Sequence, residues 1–197
     1  MIEVAPDLCH RILAPRIGYL VGTLGEDGPN VAPISNVTQV SRSPQVIVIA
    51  VSRKWKTYRN LSKRSGFSLS VPRVEHAEVV WRLAEKFSGF DIPSGMSKLE
   101  ASGANLDYDT SRFGPILEGA TGWLECELLT EAGLVDTDHG VFFGRVLGGG
   151  FNENYMQPDG KYLRNSSPLM QVVENSFATT TDHWTIPWLG SKAASHL

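Results

Sequence analysis

Between residues 16 and 52 the chain is rich in β-branched and aromatic side chains, and turn signals break it twice. "RIGYLVGTL" (16–24) reads as a strand that runs into "GEDGPN" (25–30), where Asp27-Gly28 is a hairpin signal. "NVAPISNVTQV" (30–40) reads as the return strand. Val31, Ile34, Val37 and Val40 look like wall residues, with Ser35, Asn36, Thr38 and Gln39 set among them. "SRSP" (41–44) turns the chain again. "QVIVIAVS" (45–52) is then nearly continuous in apolar residues, the mark of a strand buried on both faces. Three strands joined by short turns predict an antiparallel meander.

The pattern then changes period. In "RKWKTYRNLSKRSG" (53–66), Trp55, Tyr58 and Leu61 recur at helical spacing, and Gly66 reads as the stop. "FSLSVP" (67–72) is another strand, ended by Pro72. "HAEVVWRLAEKF" (76–87) predicts an amphipathic helix with Val79, Val80, Leu83 and Phe87 on one side. Residues 88–115 are rich in Gly and Ser, with a short helix over "MSKLEAS" (96–102). Strand patterning resumes at 116–129 and 139–149, joined by the acidic turn "TEAGLVDTD". From Phe151 onward the tail has no clear period and reads as packing on the body or on a partner subunit. Strands, inserted helices, then strands again predict a mainly β fold, a barrel with helical decoration and not a series of βαβ units. The expectation is one domain over 1–197, with a barrel core at about 16–149 and a tail at 150–197.

Composition narrows the function. A net charge of −3 argues against nucleic acid as a general partner. No stretch reaches the roughly 18 apolar residues of a membrane span. The first residues lack a basic-then-apolar signal pattern, so the reading is cytoplasmic. The matches Asn36-Val-Thr38 and Asn165-Ser-Ser167 then carry no glycosylation meaning. Cys9 and Cys126 lie far apart, and Cys126, inside "WLECELL", reads as a buried inert thiol. The histidines at 10, 76, 139, 183 and 196 have no metal-ligand spacing, and no metal is expected. The nucleophile-elbow, zinc-protease, phosphate-loop and dinucleotide fingerprints are all missing, and "GGG" (148–150) reads as a strand end or bulge.

One stretch carries more chemistry. "SRKWKTYRNLSKR" (52–64) holds Arg53, Lys54, Lys56, Arg59, Lys63 and Arg64, six of the chain's 18 basic residues, with no acid among them. It reads either as a solvated helix face or as an anion site where a helix opens at a strand's end. In the second reading Ser52 caps, Arg53 and Lys54 add charge, and Thr57 and Asn60 line one face. The polar strand at 30–40 would lie beside the strand that launches this helix. A ligand with a phosphate tail and a planar ring could then place its tail at the helix and its ring against Ser35, Asn36 and Thr38. Flavin mononucleotide (FMN) has that form.

Several motifs resemble the flavin reductase-like family, the FMN-binding split β-barrels that include flavoredoxin. The similarity runs from about Arg16 to Gly148. The family's opening pattern appears as "DGPNVAPISNVT", and its step into a helix as "SRKWKTYRN". In the same order follow "FSLSVP", "MSKLEASGANL", "PILEGATGWLECELL" and "DHGVFFGRV". The resemblance implies a homodimer of Greek-key barrels with FMN near the subunit boundary. It implies that Ser35, Asn36, Val37 and Thr38 contact the isoalloxazine, and that Ser52, Arg53, Lys54, Thr57 and Asn60 hold the phosphate. It also implies that His139 lies near the flavin, beside an incoming nicotinamide. The chain departs from the family at Ser70, where Asn is common; Ser70 remains a candidate ring or ribityl contact. After Gly149 the match is loose, and Tyr162 reads as a packing residue.

Three functions follow as expectations. The first is an NAD(P)H-dependent flavin reductase or related flavoprotein oxidoreductase, in which FMN, or else FAD, accepts a hydride at N5. The second is a flavoredoxin-like FMN electron carrier reduced by a protein partner. The third is a barrel dimer that has lost its flavin.

Overall fold

The structure, a computed structural model, describes residues 5–133, 137–163, 166–173 and 175–180. Its centre is one antiparallel sheet of seven strands: β2 (Tyr19–Gly25), β3 (Gly28–Ile34), β4 (Val37–Arg42), β5 (Gln45–Ser52), β6 (Gly66–Val71), β9 (Gly122–Ala132) and β10 (His139–Phe151). Their order is β3-β2-β6-β9-β10-β5-β4. A smaller sheet joins β1 (Arg16–Ile17), β11 (Met170–Val173) and β12 (Ser176–Ala178), and a two-stranded one joins β7 (Leu106–Asp107) and β8 (Ile116–Leu117). The helices are α1 (Lys56–Leu61), α2 (Ala77–Leu83), α3 (Glu85–Ser88) and α4 (Lys98–Ser102), with 3-10 turns at Pro6–Leu13 and Val74–His76.

The expected meander does not form. Residues 30–40 are not one strand: they are the end of β3 and the start of β4, separated by Ser35 and Asn36. β3 pairs with β2 and β4 pairs with β5, so these neighbours in sequence lie at opposite ends of the sheet order. Two hairpins replace the meander, and the two-residue link brings the ends of the sheet together as an unpaired seam. Pro33 has no N–H to donate, which suits it to an edge strand bordering a seam. The hairpin forms one residue earlier than the Asp27-Gly28 signal places it: Gly25 lies opposite Gly28, Glu26 and Asp27 make the turn, and Gly28 opens β3 at φ 84°.

Two apolar clusters flank the sheet. Inside the barrel, Val21, Ile49, Val51, Phe67, Leu69 and Phe142 are essentially inaccessible. The second cluster joins Leu20 and Val31 to Val80 and Leu83 of α2 and to Leu169. Alternation along β2 explains this, since Leu20 and Val21 point to opposite faces and both faces are covered. Burying such a side chain contributes about 1.5–3 kcal/mol, so the barrel requires no staple. Cys126 belongs to the interior cluster, and burial pushes its thiol up to about 12, in keeping with an inert role. Gly22 marks a close crossing, because a Cβ there would overlap the Pro115 carbonyl that accepts from Ser68 Oγ.

The helices are shorter than their patterns. The basic helix covers only Lys56–Leu61, closes at Ser62, and leaves Gly66 to open β6. The 76–87 helix divides at Ala84 into α2 and α3. The Phe87 side chain, part of the 130–138 turn (134–136), Asn165, His183 and His196 lie outside the description. The tail packs back on its own chain through 180: Gly18 N–H donates to Leu169 O, and β11 pairs with β1. Among the described residues no helix is long and apolar enough to cross a membrane.

Candidate functional site

A cavity of about 820 Å³ opens where the seam, α1, α2 and α4 meet. That size suits a small-molecule ligand. On the seam side it is walled by Asn30, Ile34, Ser35, Asn36 and Ala50. Asn36 is fixed twice: its carbonyl accepts from Ala50 N–H at 3.0 Å, and its Oδ1 accepts from Arg16 Nη1 at 2.7 Å. The Nδ2 group remains a donor. Ser35 Oγ makes no hydrogen bond among the described residues. Val37 and Thr38 fall beyond the corner, in β4. Val37 packs on the barrel core, while Thr38 is exposed opposite Val48 and away from the cavity lining.

The basic stretch divides in the same way. Ser52 pairs with His139 at the end of β5, and its carbonyl accepts from Trp55 N–H. Trp55, not Ser52, is the N-cap of α1, and it makes no side-chain cap. A helix of six residues has only a weak dipole to offer an anion. Lys56, Thr57 and Arg59 line the cavity, whereas Ser52, Arg53 and Lys54 do not. Arg53 turns toward β9, donating Nη1 to Tyr58 Oη at 2.7 Å and to Glu131 Oε1 at 3.3 Å. Lys54 is exposed. Asn60 is buried, donating Nδ2 to Thr23 Oγ1 at 3.0 Å, beside a separate cavity of only about 60 Å³. Ser70 is also structural: its buried Oγ accepts from Leu117 N–H at 3.0 Å. Inward-facing polar groups on strands and helices find partners in the fold, and these assignments shift for that reason.

Thr57 is both structural and exposed to the cavity. Its Oγ1 accepts from Asn30 Nδ2 at 2.9 Å, and both residues are buried in the wall. Lys56 Nζ donates to Asp27 O at 3.2 Å, and Lys98 Nζ to Val31 O at 2.8 Å, which holds both ammonium groups at the rim. At the start of α4 a capping box joins Ser97 and Glu100. The backbone N–H of Ser97, then its hydroxyl, hold the Glu100 carboxyl below its usual range, so that acid is committed locally. Trp81 and Phe177 also line the cavity, edge to face with centroids 6.2 Å apart. His139 is in the lining and meets Trp55 edge-on at 6.5 Å. Its Nδ1 lies 2.8 Å from Asp138 Oδ1, a contact that holds the Asp138 carboxyl low. Tyr162 is not in the lining, and burial raises its hydroxyl's pKa, as for a packed residue.

Of the eleven residues expected at the site, the cavity therefore gathers Ser35, Asn36, Thr57 and His139. It adds Asn30, Trp55, Lys56, Arg59, Trp81 and Lys98, which the motifs did not single out as contacts. The signal for Lys56 and Arg59 was available, since residues three apart share a helix face.

The fold recurs in known proteins. The model of the flavin reductase like domain matches residues 13–169. The chain belongs to the flavin reductase-like family. An FMN-binding protein from Thermus thermophilus, solved with 1-cyclohex-2-enone, is 23% identical, with a TM-score of 0.75 over 95% of this chain and 97% of its own. The 2-nitrobenzoate 2-nitroreductase of Pseudomonas fluorescens is 21% identical, with a TM-score of 0.77 and both chains fully covered. Flavoredoxin from Methanosarcina acetivorans is 16% identical, with a TM-score of 0.76 over 98% and 97%. At these identities the likeness establishes the fold, which is the split barrel of the flavin reductase-like proteins.

Proposed function

We propose that the chain is an FMN-binding oxidoreductase that takes electrons from NADH or NADPH, with the flavin in the 820 Å³ cavity. One observation carries the reading. The cavity combines cationic groups, Lys56 and Arg59 beside Thr57, with a hydrogen-bonding corner at Ser35 and Asn36, and Trp55, Trp81, Tyr108 and Phe177 are also in its lining. A phosphate tail suits the first and the carbonyl edge of a flat ring suits the second. Bound flavin would supply hydride acceptance at its N5. The chain's part is to hold and orient: Lys56 and Arg59 neutralise the tail, and Thr57 and Asn30 shape the wall beside it. The Ser35 hydroxyl and Asn36 amide present donors to the ring edge, and a nicotinamide would approach beside His139 and Trp55. FAD would use the same cationic residues, Lys56 and Arg59, for its phosphates. The same reading takes the assembly to be a homodimer.

Titration of the purified chain with FMN, followed by anaerobic NADH or NADPH, tests the reading. Saturable binding and bleaching of the flavin absorbance by either nucleotide are expected. Absence of flavin binding would sink it. Bleaching only with a protein reductase would favour an electron carrier, the second reading, which the barrel shared with flavoredoxin supports. Light scattering at twice the monomer mass is expected for the dimer.

A further inference from the structure

Arg53 belongs to a cluster that the flavin reading leaves unused. Its backbone N–H donates to Asp138 O at 3.0 Å, and its Nε to Thr137 O at 3.3 Å. Nη1 reaches Tyr58 Oη at 2.7 Å and Glu131 Oε1 at 3.3 Å, while Tyr58 Oη itself donates to Glu131 Oε1 at 3.1 Å. The guanidinium thus ties together α1, the end of β9 and Thr137, while the backbone amide of the same residue, just past β5, holds Asp138. The next residue is His139, opposite Ser52 in register and in the cavity lining. Gly140 follows, where a Cβ would overlap the Tyr58 ring and crowd Glu131 Oε1. The Arg53 and Glu131 side chains are about one-third exposed, at 34% and 30%, so the cluster is shielded but not sealed.

We propose that the Arg53 side chain is a positioning group for His139: by fixing Thr137 to Tyr58 and Glu131, beside an Asp138 that the backbone amide already holds, it sets the imidazole against Trp55 and toward the cavity. The planar fork reaches Thr137 O, Tyr58 Oη and Glu131 Oε1 together, which a lysine cannot reproduce. The idea rests on the flavin reading only in giving His139 a ligand to face. Its consequence for binding differs from that of a phosphate contact, because Arg53 grips protein and not cavity.

The test pairs FMN titration with NMR of the histidine ring signals in the ligand-free protein, for Arg53→Ala, Arg53→Lys and Glu131→Gln. We expect FMN affinity within about twofold of wild type in all three, the range of changes made away from a site. The His139 ring signals move toward those of exposed His10 in Arg53→Ala, do so nearly as far in Arg53→Lys, and move less in Glu131→Gln. Unmoved His139 signals in Arg53→Ala would overturn the proposal, and a tenfold loss of FMN affinity with those signals unmoved would make Arg53 a phosphate ligand. If Arg53→Ala does not fold, Arg53→Lys and Glu131→Gln decide by the same signals. Wild-type protein that binds no FMN would refute the flavin reading, while the ring signals would still judge Arg53.

Discussion

Arg53 and Arg59 stand six residues apart on one short segment, yet their surroundings are opposite. Arg53, with Tyr58 and Glu131, gives its hydrogen-bonding capacity to the fold. Arg59, with Lys56, faces a cavity. Asn60 and Thr57 repeat the contrast, one sealed against Thr23 and the other set in the cavity wall. A polar side chain therefore points to a ligand only when the fold leaves its groups unsatisfied. Composition alone does not distinguish the two cases.

The largest expected effect comes from emptying the cavity side. Lys56→Ala with Arg59→Ala should raise the FMN Kd by roughly 10–100-fold, since a hydrogen bond to a charged group is worth about 1.5–3 kcal/mol before solvent screening. Fluorescence titration measures it, and a change below about threefold would erase the contrast. Asn60→Ala should do the reverse. Loss of the buried contact to Thr23 should cost about 1–3 kcal/mol in urea unfolding while FMN affinity holds. Thr57→Ala lies on the boundary and should show both effects at smaller size: about 1 kcal/mol of stability from the Asn30 contact, with an FMN affinity loss of a few-fold. Lys54→Ala should change neither quantity, as an exposed residue outside the cavity. A clear loss of FMN affinity there would return the phosphate to the turn before α1.

Much of the fold could be read from the residues. The run 45–52, the hairpin at 26–27 and the apolar face of α2 all formed, and Leu61 is fully buried as its helical spacing requires. The break at 35–36 was less legible but had left a trace. Val31, Ile34, Val37 and Val40 recur every three residues, and in a straight strand an odd spacing alternates faces. The corner lets Ile34 and Val37 both serve the barrel core while Val40 stays exposed. The start of α1 was harder to see, because Ser52 is a good cap by type but is held in β5 by His139. That pairing joins residues 87 positions apart, and no local pattern encodes it.

The link at Ser35 and Asn36 also gives the molecule a clasp. The chain passes from one border of its sheet to the other in two residues, and the Ala50 amide, bonded to the Asn36 carbonyl, carries the β4–β5 pairing up to that corner. Parting the borders would pull open the cavity wall, and a guest lying against that wall would resist the parting. Hydrogen exchange at the Ala50 amide therefore gauges occupancy from within the backbone, slowing as the cavity fills even where the guest itself has no colour.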